Sequence, residues 1–229
     1  MTRLSAFLVL CVACREAPTQ NPEPSAPVAS QAERASRRRV GRCPADMVPL
    51  QARDSVPFCM DPYEAPNVRG DKPYIMENAV SGSVWCAQRG KRLCYDDEWE
   101  VACGGPGGLV YPYGNEYQPG RCNDGKTWIL VDERLLAEWP SKASMLEASR
   151  LYQGTLAGSL PGCVSVYGVA DLVGNVEEWT LRRDGSAVLK GCYWAGCYGG
   201  SKPTCRSTNG AHADSFRFYE TGFRCCRDG

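Results

Sequence analysis

Fourteen cysteines in a chain of 229 residues restrict its fold more than any other feature. They do not recur as Cys-x2-Cys pairs at zinc-ribbon spacing, so they read as covalent staples made in an oxidising compartment. Twelve of them lie from Cys43 onward, an even number compatible with six bridges whose connectivity composition cannot supply. The chain also carries 24 Gly and 16 Pro, above the usual share, so irregular loops make up much of the domain and need such cross-links.

Charge and histidine content exclude several functions. Lysine plus arginine equals aspartate plus glutamate at 26 each, so there is no basic field to displace counterions from a phosphate backbone, and nucleic acid is excluded as a partner. The hydrophobic share, 43%, suffices for one core and a tail. His212 is the single histidine, which excludes a three-His iron centre or a two-His zinc site built from this chain alone. Any metal would need oxygen or sulfur ligands.

Residues 1–14 read as a secretory signal: Arg3 is followed by an apolar run too short to span a bilayer. The run stops at Ala13-Cys14, which resembles a bacterial lipobox, with Cys11 where leucine is usual. Cys14 would then be acylated; cleavage without lipid attachment is the alternative. Residues 15–42, rich in Pro, Ala, Ser, Gln and Glu, read as a disordered tether. Its Arg34, Arg37, Arg38, Arg39 and Arg42 would either touch anionic head groups or stay solvated. The expected location is extracytoplasmic, anchored to a bacterial envelope by lipid or secreted, and the expected state is a monomer.

Residues 43–229 read as one α+β domain. A helix is expected over residues 78–88, with Ala79, Val80, Val84 and Ala87 on its buried stripe and Gly90 as its stop. A second is expected between Lys91 and Gly105, opened by a capping box of Asp97 with Glu100 and ended by Gly104. Strands are expected at 188–190, 216–219 and 222–225.

Five motifs in order along the chain carry a family resemblance. They are Met47-Val48-Pro49; Gly90-Lys91-Arg92-Leu93 running to Glu98-Trp99-Glu100; Tyr111-Pro112-Tyr113-Gly114-Asn115; the run 167–180 with Gly174-Asn175-Val176-Glu177-Glu178-Trp179; and Gly222-Phe223-Arg224-Cys225. Together they resemble the formylglycine-generating enzyme, or sulfatase-modifying factor, family, over about residues 43–229. The resemblance implies a C-type-lectin-like α+β fold, loop-rich and disulfide-stapled. It also implies bridges Cys86–Cys225 and Cys103–Cys205; Cys43 and Cys59 bracket an opening hairpin and form a third expected pair. Partners for Cys94, Cys122, Cys163, Cys192, Cys197 and Cys226 stay open.

The family's enzymes oxidise a peptidyl cysteine to formylglycine with copper(I) held by a Cys-x4-Cys pair just past a Gly-Gly-Ser-Trp-like turn. Here that turn is Gly191-Cys192-Tyr193-Trp194, and the first catalytic position falls near Gly196 or, with one inserted residue, on Cys197. Soft thiolates suit Cu(I), so activity would need Cys197 reduced beside a second thiol, Cys192 or Cys205; structural disulfides are the competing use. The resemblance also implies calcium, a hard cation, on Val173, Asn175 and Glu178, with Asn123 from a second family site. It places Trp194 and His212 at a substrate groove, where His212 is a groove or a plain loop residue. The expectation is a binding or structural module for a peptide or glycan with a degenerate copper site; the alternative is an active copper-dependent formylglycine-generating oxidase.

Overall fold

The computed structural model describes residues 43–51 and 56–229. The signal, Cys14 and the tether with its arginines lie outside the described residues. Two four-stranded sheets form the frame. The first contains β1 (Val48–Leu50), β2 (Phe58–Met60), β3 (Arg92–Leu93) and β8 (Cys225–Asp228), ordered β1-β2-β8-β3 and antiparallel throughout. The second contains β4 (Glu177–Leu181), β5 (Ala187–Lys190), β6 (Thr208–Asn209) and β7 (Thr221–Phe223), ordered β6-β5-β4-β7 with β4 and β7 parallel. Helices α1 (Ala79–Ala87), α2 (Asp96–Gly104), α3 (Glu133–Ala137) and α4 (Lys142–Leu151) complete the α+β, lectin-like domain. No helix among the described residues is long and apolar enough to cross a membrane.

A single residue, Arg224, separates β7 from β8, so the chain changes sheets there. Its guanidinium is fully buried and donates to both oxygens of Glu178 on β4, at 2.7 and 2.6 Å. It also donates to the carbonyls of Ala170 and Asp61. The Trp99 indole N–H of α2 donates to the same carboxylate at 2.9 Å. One ion pair thereby ties both sheets and a helix to a common point, with its donors and acceptors satisfied.

The six bridges join Cys43 to Cys59, Cys86 to Cys225, Cys94 to Cys226, Cys103 to Cys205, Cys122 to Cys163 and Cys192 to Cys197. Cys225 and Cys226 are neighbours on β8, yet reach different partners because successive strand side chains point to opposite faces. Cys225 joins the core around Trp179 and Phe223, and Cys226 the core around Trp99 and Leu172.

Several expected details are corrected. Helix α1 buries Ala79, Gly82 and Cys86, whereas Val80 and Val84 are more than half exposed and Ala87 is exposed. The bridge to Cys225 orients the helix, and Gly82 allows the approach: a Cβ there would meet the Phe223 ring at 3.0 Å. Helix α2 is opened by Tyr95, whose N–H donates to Glu98, not by Asp97 with Glu100. Glu100 instead accepts from the buried Lys190 ammonium at 2.7 Å. The helix ends at Gly104 as expected, and Gly105 follows it at φ +63°. Residues 216–219 form an irregular loop, not a strand, because the Phe218 N–H is taken by the Thr221 hydroxyl and leaves no ladder to extend.

Removing the charge of Glu178 while keeping its shape, in E178Q, is expected to cost about 3–5 kcal/mol in urea unfolding, since Arg224 is left buried without its counter-charge. Chain entropy ranks the bridges as well. C86A/C225A, which opens a separation of 139 residues, should lose about 5 kcal/mol, and C192A/C197A, with a separation of 5, about 2 kcal/mol.

Candidate functional site

Strand β4 opens with two adjacent glutamates, and the alternation of a strand forces them apart. Glu178 turns inward to Arg224, while Glu177 lines a cavity of about 520 Å³ beside the end of β4. Glu220, just before β7, lines the same cavity. The two residues are brought together by the backbone, since the Glu177 N–H donates to the Glu220 carbonyl at 2.9 Å. Aromatic walls come from the irregular loop (Phe216, Phe218) and from Tyr193 and Trp139. His212 stacks flat on Phe216 at 3.7 Å.

A second hollow of about 360 Å³ shares Glu177, Tyr198 and Asn209 with the first, so the two form one groove. The Cys192–Cys197 bridge, Ser201 and Ser207 line this second part. Just before this bridge, Gly191 takes φ +83° and packs so closely on the core that a Cβ would sit 2.7 Å from the Leu172 carbonyl oxygen.

Both groove carboxyls are about nine-tenths buried, and among the described residues neither belongs to an ion pair. Glu220 Oε2 has no hydrogen-bond partner. Burial pushes Glu177 up to about 7, opposed by a hydrogen bond from Asn209. Burial and then the Glu177 charge push Glu220 well above the usual carboxylate range. Burial also raises the Tyr193 phenol and lowers His212, so near neutral pH the walls are uncharged phenol and imidazole around a partly protonated acid pair.

The thiol chemistry does not fit this site. Cys197 is bonded to Cys192, and Cys205 to Cys103, so both pairings considered for copper are spent in disulfides. All twelve cysteines of the described residues are bridged. No thiolate donor set for Cu(I) is present among them.

The residues expected at calcium are hydrogen-bonded within the protein. Glu178 is turned to Arg224 and Trp99. The Asn175 carbonyl oxygen accepts from the Thr155 and Asn123 nitrogens, and its amide donates to Glu64 at 2.7 Å. Asn123 also donates to the Gln153 carbonyl, and Val173 is fully buried in the core. The Asn side chains that resemble metal ligands therefore stitch loops together. Among the described residues no three His, Cys, Asp or Glu side chains are placed to hold a metal ion.

Of the two expected groove residues, His212 lines the cavity. Trp194 does not: it is completely buried against Tyr152, Tyr193 and Tyr219, and its neighbour Tyr193 takes the wall. Sequence reasoning passed over Glu177 and Glu220. The signal for Glu177 was the Glu-Glu pair itself, because one of two adjacent strand residues must face away from the other. Nothing local marks Glu220, which reaches the groove only through the parallel pairing of β7 with β4.

A model of the sulfatase-modifying factor enzyme 1-like domain matches residues 61–229. The Bos taurus protein named inactive C-alpha-formylglycine-generating enzyme 2 is 35% identical over 165 residues, covering 67% of this chain and 49% of that protein. The chain thus spans about half the length of this relative. Among solved structures, CarF superposes with a TM-score of 0.57 at 15% identity, over 81% of this chain and all but 1% of its own (99%). PvdO from Pseudomonas aeruginosa gives 0.50 at 18% identity, over 81% and 92%. These two likenesses show a shared fold.

Because the folded state holds the Glu177 proton above its ordinary 4.5, the stabilisation from that proton is complete below about pH 4.5 and is lost as pH rises to about 7. Thermal midpoints recorded across that window should fall with pH in the unaltered protein and fall less in E177Q. An unchanged decline in E177Q would assign it to the other buried acids that burial raises, Asp61 and Asp171, each to about 6, and Glu64 and Glu220.

Proposed function

The chain belongs to the sulfatase-modifying factor enzyme 1-like family, and we propose that it serves as an extracytoplasmic binding module in which the family's oxidising site has given way to a ligand groove. The observation that carries this reading is the covalent bond between Cys192 and Cys197 on the wall of that groove. A thiol-dependent oxidation needs a reduced sulfur beside the substrate, and here those sulfurs are spent on each other.

Other features agree with it. The groove is walled by aromatic rings and floored by buried polar groups, a composition suited to holding a peptide or glycan. Six bridges in one small domain suit an oxidising compartment. The name of the bovine relative describes that protein as inactive. In this reading Cys14 carries the lipid, residues 15–42 hold a monomeric domain away from the membrane, and calcium and copper are not required.

Peptide mapping of non-reduced protein from the oxidising compartment should recover Cys192 and Cys197 in one linked fragment and no free thiol from residue 43 onward. Incubation with a cysteine-containing sulfatase-type peptide, Cu(I) and oxygen should yield no peptidyl aldehyde. Two free thiols at 192 and 197, stoichiometric Cu(I) uptake and aldehyde formation would overturn the proposal in favour of the oxidase.

A further inference from the structure

The cavity at the end of β4 holds two buried acids, and among the described residues neither is in an ion pair. Glu177 and Glu220 sit side by side through the Glu177–Glu220 backbone bond, and Glu220 Oε2 has no donor. Arg217 lines the same cavity, but no ion pair joins it to either carboxyl. A buried carboxyl usually finds a donor within the protein, and a buried pair of like acids usually finds a cation. The space beside this pair is large enough for a small organic group, and it is walled by the ring systems of Phe216, Phe218 and Tyr193. Carboxylates at the floor with aromatic rings around them are the combination that holds an ammonium or guanidinium group: hydrogen bonds and charge from one side, ring quadrupoles from the others.

We propose that this cavity receives an organic cation, the alkylammonium or guanidinium group of a basic side chain, with Glu177 and Glu220 as its counter-charges and Phe216, Phe218 and Tyr193 as its cage. The assignment rests on the binding-module reading and narrows its ligand to one with a basic group. A neutral saccharide can stack on the rings and hydrogen-bond to the acids, but only a cation adds a charge that favours their ionised form. The titratable and charged groups around the pair are Tyr193, Tyr198, Tyr219, His212, Arg217 and Glu133. A bound cation favours the ionised carboxylates, so binding releases protons and strengthens as pH rises through the range in which Glu177 ionises, near 7.

Titration calorimetry on the full chain tests this with Nα-acetyl-lysine amide, Nα-acetyl-arginine amide, the neutral Nα-acetyl-norleucine amide and chitotriose. The two cationic probes should bind at least about tenfold more tightly than norleucine amide, with affinity rising between about pH 5.5 and about pH 8. E177Q and E220Q should each weaken lysine amide about tenfold while leaving norleucine amide unchanged. F216L, which keeps both carboxyls, should weaken the cations and gives an independent reading if a glutamine variant fails to fold. A lysine-bearing pentapeptide that binds more tightly than lysine amide identifies a peptide as the source of the cation; equal affinity identifies a free amine, and either supports the assignment. Equal binding of lysine and norleucine amides, saccharide binding without cation binding, or unchanged cation affinity in the folded variants would overturn it. Those results leave the binding-module reading standing, whereas aldehyde formation on a cysteine peptide strikes that reading and not the cation site.

Discussion

Arg224 sits where the chain passes from one sheet to the other, and its charge is tolerable there only because Glu178 meets it on both oxygens. Two ions removed from water at this depth cost several kcal/mol each, so the pair adds little net stability over a well-packed apolar core. Its contribution is positional. Arg224 also reaches the carbonyls of Ala170 and Asp61, and Trp99 shares the carboxylate, so a strand, a helix and two loops must arrive together before any of them is satisfied. Two more acids, Glu64 and Asp171, lie within its field, and burial raises both, with like-charge repulsion adding to the effect. One guanidinium thus organises a buried acidic cluster, and the register of β4 that it fixes decides which way Glu177 faces.

The same register separates structure from ligand chemistry along a single strand. Glu178 is spent inside the fold, and Glu177, its neighbour, is left with the groove. Neither could exchange roles without a one-residue slip, which would also carry Trp179 out of its core with Phe223 and Leu189. The groove acids are therefore held in place by packing along the same face of β4, two residues on, where the Trp179 indole donates to the Glu77 carbonyl. That rigid backing is what a preorganised binding floor needs, because the ligand then need not meet the cost of ordering the acids.

Sulfur chemistry follows a comparable division. In a domain this rich in loops, the bridges with separations above 100 residues tie the terminal strand to α1 and to Cys94, and α2 to Cys205. The bridge with a separation of 5 residues, Cys192–Cys197, closes almost no loop and constrains the unfolded chain least. Its position on the groove wall shapes the floor next to Glu177 and Asn209 rather than holding the fold.

The α+β fold class and the places of α1, α2 and β5 were legible in the sequence, because short apolar runs and the spaced motifs act locally, whereas α3 and α4 were not anticipated. An even set of twelve cysteines likewise pointed to the kind of cross-linking; two pairings followed from resemblance and a third, Cys43 with Cys59, from the opening hairpin. What the chain could not announce were contacts made between distant segments. The buried face of α1 was decided by Cys225 and Phe223, which lie more than a hundred residues away, and so Val80 and Val84 were left in solvent. Asn175 and Glu178 are neighbours in sequence, but the partners of their side-chain atoms, Thr155, Asn123 and Arg224, come from distant segments. The meeting of Glu177 with Glu220 required the parallel pairing of β4 with β7, a long-range register that no local pattern encodes. Residue types and spacings determine what each segment can do alone; only the folded chain decides which of those capacities remain unspent, since most buried polar groups are claimed by whatever the tertiary structure brings beside them and a few, Glu220 Oε2 among them, are not.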